Sequence, residues 1–370
     1  MSSKFYSRFQ PRRILIIEFG TVRNVLRTLP VINILRVRFP LAEIAWLVNQ
    51  EMLDFLSSYQ IVDRLIIAKT SWYTKFCETK ILRRRLQTFA PDFCLDLHGT
   101  WQSGFASWLS GSRKRISFAD NSLQIGKRLF TNPFLNPFAN IKVPTRSRHE
   151  LEKRLQLLDI FDVAESSIDY DLPKISSEKK IAADIRREFG LDSTLFSLLG
   201  IGKKNDGTSW DFNQYVHIAR HLGDVLNIPT LVVYQNEQEK QVAESVVEES
   251  GEMVFLSPTV SVTQFTALAR HASIYVGSDS DFLHIAAAVG TPTIGVFQTM
   301  DSRYDSPYCD NFQLIRADDA ENDWRNLHSQ NSSFPLVDDL PDVIKVCDAC
   351  DEILQPSVVT EWYQEEMVCV

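Results

Sequence analysis

The stretch GSDSDFLHIAAAVGTP, residues 277–292, gathers Asp279, Ser280, Asp281 and His284 at the start of an apolar run with helical spacing. A helix amino end presents unpaired N–H groups and positive potential, which suits it to a diphosphate. Ser280 supplies a hydroxyl there, and His284, five residues beyond Asp279, falls in the first turn. The two carboxylates oppose that chemistry: at an effective dielectric of about 20, like charges about 4 Å apart repel by roughly 4 kcal/mol. If Asp281 points inward it weakens an anion site. If it points outward, or caps the helix by accepting from free N–H groups, the repulsion largely disappears. A histidine beside an apolar helix is in many proteins a packing residue, so the stretch alone leaves both readings open.

The elements that must position these residues are legible as a rhythm. Short β-branched runs (RILIIEFG, AEIAWLV, RLIIAK, DFCLDLHG, KRISF) alternate with amphipathic stretches, a pattern that predicts parallel sheet built from βαβ units. After the charged segment RHELEKRLQLLDIF the rhythm restarts with LFSLLGIG, PTLVVY, MVFLSP, ASIYVGSD and PTIGVF. The expectation is an α/β chain of two doubly wound, Rossmann-like domains facing a central cleft. Residues 1–175 form the first and 176–345 the second, with a helical tail over 346–370 packing back on the first. Ligands of such sheets bind outside the carboxyl ends of strands, where strand order reverses. That singles out the loops EFGTVRN, GIGKKNDGTSW, YQNEQEK, GSDSDFLH and FQTMDSRYDSP.

Composition bounds the rest. A chain of 370 residues, 44% hydrophobic and 23% charged, is long enough for two cores. The apolar run Ile14–Ile17 is too short for a signal-peptide core, and no stretch is long and apolar enough to span a bilayer, so the expected setting is cytoplasmic with reduced thiols. The CDAC pair, Cys347 and Cys350, lacks a second ligand pair at a zinc-like spacing; on a helix the two lie one turn apart, and packing is the preferred reading. Charge is uneven: residues 1–150 hold 23 Lys+Arg against 10 Asp+Glu, or +13, and the other 220 hold 16 against 37, or −21. A basic first half suits an anionic partner such as a phosphorylated acceptor or a membrane face, although bases such as those in LRRRL, 82–86, also suit a solvated helix face. No recognisable nucleic-acid module accompanies the charge, so nucleic acid is not expected as a partner.

Five loops in order, from about Ile14 to about Tyr308, resemble glycosyltransferase family 9, the ADP-heptose:lipopolysaccharide heptosyltransferases of the GT-B fold group. DSDFLHIAAAVGTPTIGVF is similar to the family's Asp-Thr-Gly-x-x-His-x-x-Ala-Ala stretch and the Pro-led strand after it. DFCLDLHGTWQSGFASWLSGSRKRISF and RTLPVINILRVRFPLAEIAWLV resemble two further family segments. The resemblance implies a nucleotide-sugar donor, ADP-linked, held by the second domain, and a saccharide or lipid-linked acceptor held by the first, with peripheral contact at the inner membrane. It implies an inverting transfer that needs no metal or other cofactor.

Carried over position by position, the resemblance assigns donor contacts to Asp279, Ser280, Asp281 and His284, with Asp281 standing where the family has Gly. Arg23 and Asn24 stand where the family ends its first loop in Gly-Asp and uses that Asp as catalytic base. An amide cannot take a proton at neutral pH, so Asn24 orients an acceptor without deprotonating it, and Glu18 is the nearest alternative carboxylate. Thr208, two residues before Trp210, replaces a phosphate-binding Lys and leaves Lys203 and Lys204 as displaced candidates. Gln298 replaces a Gly in FQTMD, which keeps Asp301, and Glu237 stands where related enzymes place an acid near the donor ribose, or is a surface residue before a helix. Arg23, Lys127 and Arg128 are the acceptor candidates; the last two lie in GKRLFTNPFLNPFANIK, whose interleaved bases and Phe residues suit a headgroup or saccharide surface or else fold inward. The leading reading is transfer of heptose from ADP-heptose to a lipopolysaccharide-like or other saccharide acceptor. The alternative is a catalytically degenerate binding or scaffold subunit, motivated by Asn24, Thr208, Asp281 and Gln298.

Overall fold

A computed structural model describes residues 10–57, 62–70, 72–119, 122–125, 128–131, 137–147, 149–161, 170, 172, 176–191, 195–202, 210, 212–297, 302–316 and 341–354. The chain divides into two compact units, Met1–Ile175 and Ser176–Val370. Among the described residues no helix is long and apolar enough to cross a membrane.

In the first unit β1 (Arg13–Ile17), β2 (Glu43–Asn49), β3 (Arg64–Ala68), β4 (Phe93–Asp96), β5 (Lys114–Phe118) and β8 (Ile141–Val143) form one sheet in the order β3-β2-β1-β4-β5-β8. Every pairing is parallel. The central strand β1, RILII, is buried from Ile14 to Ile17, as expected of a parallel strand covered on both faces. Helices α1 (Val22–Arg38), α2 (Leu53–Ser57), α3 (Phe76–Phe89), α4 (Trp101–Leu109) and α5 (Glu150–Gln156) intervene or follow, and a hairpin of β6 (Ser122–Ile125) and β7 (Arg128–Thr131) stands apart from the sheet. Leu82, Leu86 and Phe89 of α3 and Ala106 and Leu109 of α4 cover one face in a cluster with Leu15, Ile17 and Leu47. On α3 the bases Arg83, Arg84 and Arg85 are exposed while Leu82 and Leu86 point inward, so the LRRRL run forms a solvated helix face.

The second unit repeats the plan. β9 (Ser197–Gly200), β10 (Thr230–Val233), β11 (Val254–Leu256), β12 (Ile274–Ser278), β13 (Thr293–Phe297) and β14 (Phe312–Arg316) pair in parallel in the order β11-β10-β9-β12-β13-β14. Its helices are α6 (Glu178–Glu188), α7 (Phe212–Arg220, continued by a π-type turn), α8 (Glu237–Glu249), α9 (Val262–Ala269), α10 (Asp281–Ala288), α11 (Ser302–Asp305) and α12 (Pro341–Ile353). Both sheets have the Rossmann order 3-2-1-4-5-6, so each has one switch point: β1 against β4 in the first unit and β9 against β12 in the second.

The tail departs from expectation. α12 runs unbroken through residue 345, and Val343, Val346, Cys347, Ala349 and Cys350 lie in the core of the second unit. An apolar stripe at helical spacing covers β13, β14 and α7. The remaining expected tail, 355–370, lies outside the described residues. The CDAC cysteines are free and buried, one helical turn apart, as the packing reading requires. A carboxylate at Val346 would be buried without a partner, so Val346→Asp is expected to cost the second unit roughly 3 kcal/mol or more in urea unfolding, while Lys345→Asp on the exposed face changes stability by less than about 0.5 kcal/mol. Equal tolerance of both would remove α12 from the core.

Candidate functional site

At the first switch point the carboxyl ends of β1 and β4 lie side by side, with Ile17 opposite Asp96. The residue after β1 is Glu18, 0% exposed. A buried carboxylate must be compensated, and three partners supply the compensation. Its Oε1 accepts the Gly20 N–H at 2.9 Å and contacts His98 Nδ1 at 2.6 Å, and its Oε2 accepts from Arg154 of α5 at 3.2 Å. Burial alone would raise its pKa, but the His98 hydrogen bond, the Arg154 and His98 charges and the Gly20 N–H lower it from an ordinary 4.5 to about 2. Glu18 is therefore ionised, acceptor-only and walled in, which suits it to hold cations rather than take a proton from a substrate. The expectation of Glu18 as replacement base fails on this geometry.

Asn24, in the first turn of α1, joins the same network: its Oδ1 accepts from Arg154 Nη2 at 3.2 Å, while Nη1 bonds the Glu150 carbonyl and carboxylate. A Cβ on Gly20 would sit 2.1 Å from Asn24 Nδ2, so only glycine lets the loop after β1 fold this closely over the α1 start. Arg23, beside it, is half-buried.

His98 was not among the residues expected from sequence. It occupies the turn after β4, where Gly99, in the left-handed region at φ 71°, donates its N–H to Asp96 Oδ1 at 2.9 Å. Thr100 and Ser103 then close a capping box that starts α4. Burial pushes Asp96 up to about 6 against its hydrogen bonds from Gly99 and Ser103. For His98 burial works downward, but the hydrogen bond and charge of Glu18 outweigh it, and the net shift is upward from 6.5. Its ring meets Phe19 edge-on at 5.8 Å and its side chain stays 25% exposed.

The second switch point is built from hydroxyls. Tyr215 of α7 accepts the Gly202 N–H at 3.0 Å and contacts Ser278 Oγ at 3.0 Å, tying the loop after β9 to the end of β12. Ser280 is the N-cap of α10: its Oγ accepts the Leu283 N–H at 3.2 Å and lies 3.3 Å from the Tyr275 hydroxyl. Ser280, not Asp281, thus caps the helix; Asp281 is its first residue, half-buried, where a negative charge is favoured by the helix dipole. His284 is buried in the first turn with Nε2 3.7 Å from Asp279 Oδ1. Asp279, Ser280, Asp281 and His284 are therefore brought together, as their spacing predicts.

Glu237 is not among the residues that close the second switch point. Glu237 starts α8 with a 78% exposed side chain paired to Lys240 at 3.7 Å, and the buried acid of that loop is Glu239, which bonds the Gln235 N–H and the Asn236 amide. Phe138, half-buried, packs on Phe105 and on the half-exposed Trp108. Lys127, Lys203, Lys204, Thr208, Gln298 and Asp301 lie outside the described residues, as does the side chain of Arg128, whose backbone is in β7.

The sequence profile of Glycosyltransferase family 9 (heptosyltransferase) matches residues 80–333. The lipopolysaccharide core heptosyltransferase OpsX of Haemophilus influenzae is 23% identical over 329 residues, 86% of this chain and 89% of that protein. Lipopolysaccharide heptosyltransferase 1 of Escherichia coli K12 is 22% identical, covering 86% and 97%. Among solved structures, the family 9 glycosyl transferase of Veillonella parvula superposes with a TM-score of 0.75 at 15% identity, covering 93% of this chain and 97% of that one. The E. coli heptosyltransferase WaaC with ADP superposes at 0.67 with 19% identity, covering 82% and 93%. The fold is GT-B.

Because Arg154 is the one guanidinium on the buried Glu18 carboxylate, Arg154→Met is expected to cost about 3–5 kcal/mol in urea unfolding at neutral pH. Adding Glu18→Gln should recover part of that loss, since the orphaned charge is gone. The folded-state pKa of Glu18 is below its ordinary value, so its stabilisation is complete above about pH 4.5 and is lost as pH falls towards 2. Across that interval wild-type stability should decline more steeply than that of Glu18→Gln; parallel curves would mean that Glu18 is not held ionised.

Proposed function

The chain belongs to glycosyltransferase family 9, the heptosyltransferase family, and we propose that it transfers heptose from ADP-heptose to a lipopolysaccharide-type saccharide acceptor with inversion. The observation that carries this reading is the β12–α10 junction, where Ser280 caps the helix and Asp279 and His284 stand 3.7 Å apart at the switch point of the second sheet. A helix amino end at a switch point is where an α/β sheet binds a nucleotide diphosphate. Relatives solved with ADP and with ADP-2-deoxy-2-fluoro heptose support the choice of donor.

In this reading His284 and Ser280 hold the diphosphate and Asp279 orients the His284 ring. Lys203, Lys204, Thr208 and Asp301 are further donor contacts. The excess of positive charge over residues 1–150 attracts a phosphorylated acceptor and an anionic membrane surface, with Arg23, Lys127 and Arg128 as acceptor contacts. Asp281 moderates donor affinity: its charge favours the helix and opposes the diphosphate.

One observation favours a non-catalytic alternative, a binding or scaffold subunit. Asn24, at the position of the family's base, is an amide engaged by Arg154. Calorimetry with ADP, with UDP and GDP as controls, together with heptose transfer from ADP-heptose to heptose-deficient lipopolysaccharide, separates the readings. The expected outcome is micromolar binding selective for ADP, measurable transfer, and at least about a tenfold loss of ADP affinity in His284→Ala, corresponding to about 1.4 kcal/mol. Asp281→Gly should tighten ADP binding. ADP binding without transfer selects the scaffold reading, and neither binding nor transfer removes the proposed activity.

A further inference from the structure

Resting on the glycosyl-transfer reading, we propose that His98 is the general base: Glu18 fixes its Nδ1–H, and its Nε2 takes the proton from the acceptor hydroxyl. A transfer of this kind needs a group that removes that proton as the acceptor oxygen attacks. Four side chains at the first switch point are in the region where a base is required, and Asp96 is buried with its carboxylate engaged by the Gly99 N–H and by Ser103. Asn24 has no proton-accepting chemistry at neutral pH, and its Oδ1 is held by Arg154. Glu18 is fully buried, with both carboxylate oxygens engaged. His98 is the remaining one, and it is partly exposed.

The tautomer follows from the chemistry of its neighbour. An ionised Glu18 can only accept, so the 2.6 Å contact to Nδ1 is an N–H donated by His98. The neutral ring therefore carries its lone pair on Nε2, for which no partner is found among the described residues. A carboxylate on one ring nitrogen and a substrate on the other is how a histidine is oriented for proton abstraction. The surrounding turn is rigid: Gly99 is pinned to Asp96, the capping box fixes the start of α4, and Phe19 buttresses the ring.

The step balances as follows. The acceptor O–H bond breaks, its electron pair forms the new bond to the anomeric carbon, and the proton passes to Nε2. The bond from that carbon to the diphosphate oxygen breaks, and its electron pair leaves with ADP. The imidazolium formed is stabilised by Glu18 and returns its proton to water.

The charged groups facing His98 are Glu18 beyond β1, Asp96 on β4 and Arg154 on α5; the two acids favour the imidazolium and Arg154 opposes it. The net upward shift means that the base form of His98 is lost as pH falls through a value above 6.5. kcat/KM should therefore rise with pH through an apparent pKa above 6.5 and level off.

The experiment measures kcat and KM across pH 5.5–9 with ADP-heptose and heptose-deficient lipopolysaccharide. His98→Gln should lower kcat by about 10²–10⁴-fold and abolish the acidic limb while ADP affinity by calorimetry stays within about twofold. Glu18→Gln should move the limb to lower pH, because the carboxylate that raises the His98 pKa is gone. His98→Gly should recover activity with added imidazole, in proportion to its unprotonated fraction, a response a structural role would not give. A His98→Gln enzyme within about threefold of wild type and with an unchanged limb overturns the assignment and leaves the transferase reading standing. Wild type that binds ADP but transfers nothing overturns both.

Discussion

The first domain is organised around a fully buried carboxylate. Glu18 sits at the end of the innermost strand, where water cannot solvate it, and the chain must satisfy it internally or not fold there. Its three partners are the Gly20 amide after β1, His98 after β4 and Arg154 on α5, which in turn holds Asn24 on α1. Removing Arg154 leaves charge unbalanced in a low-dielectric position, so these elements are held in register by electrostatics as well as by the apolar contacts beneath them. Gly20 belongs to the same constraint, because Asn24 occupies the space a side chain there would need.

The second domain solves the same topological problem with neutral groups. Its switch point is closed by Tyr215, Tyr275, Ser278 and Ser280, hydroxyls that both donate and accept. A Cβ on Gly202 would lie 1.8 Å from Ser278 Oγ, so a glycine again permits the close approach of the two switch strands. The difference between the halves has chemical content. In the proposed reading this end holds a diphosphate, and Asp279, directly after β12, and Asp281, opening α10, are the acids that oppose it. A site that must remove a proton is served by a fixed anion that supports a cation once the proton arrives.

The fold was largely legible in the sequence because parallel strands buried on both faces write themselves as β-branched runs, and the restart after RHELEKRLQLLDIF marks the second domain. What α12 packs against was not legible, because a stripe such as Val343, Val346 and Cys350 states that a helix is buried and not against what. The cluster at the start of α10 was legible because Asp279, Ser280 and His284 are neighbours in sequence and the helix geometry alone brings them together. The first site was not, because Arg154 reaches Glu18 across 136 positions, and no local pattern couples a basic residue in a charged helix to an acid at a strand end. His98 carried a faint signal, a titratable residue directly after a strand in DFCLDLHG, which strand-end logic marks as exposed to ligand.

The substitution at position 24 and the placement of Arg154 are best understood together. Arg154 already pairs with Glu18 through Nη2 and with Glu150 through Nη1, so an aspartate at position 24 would put a third carboxylate on one guanidinium. An asparagine keeps the hydrogen bond without adding a charge that competes with Glu18. With Glu18 stably ionised, the His98 ring is held in one tautomer and its basicity is raised. In the proposed mechanism an amide at position 24 therefore does more than lack a carboxylate: it leaves the charge balance in the arrangement that favours proton transfer to the neighbouring imidazole.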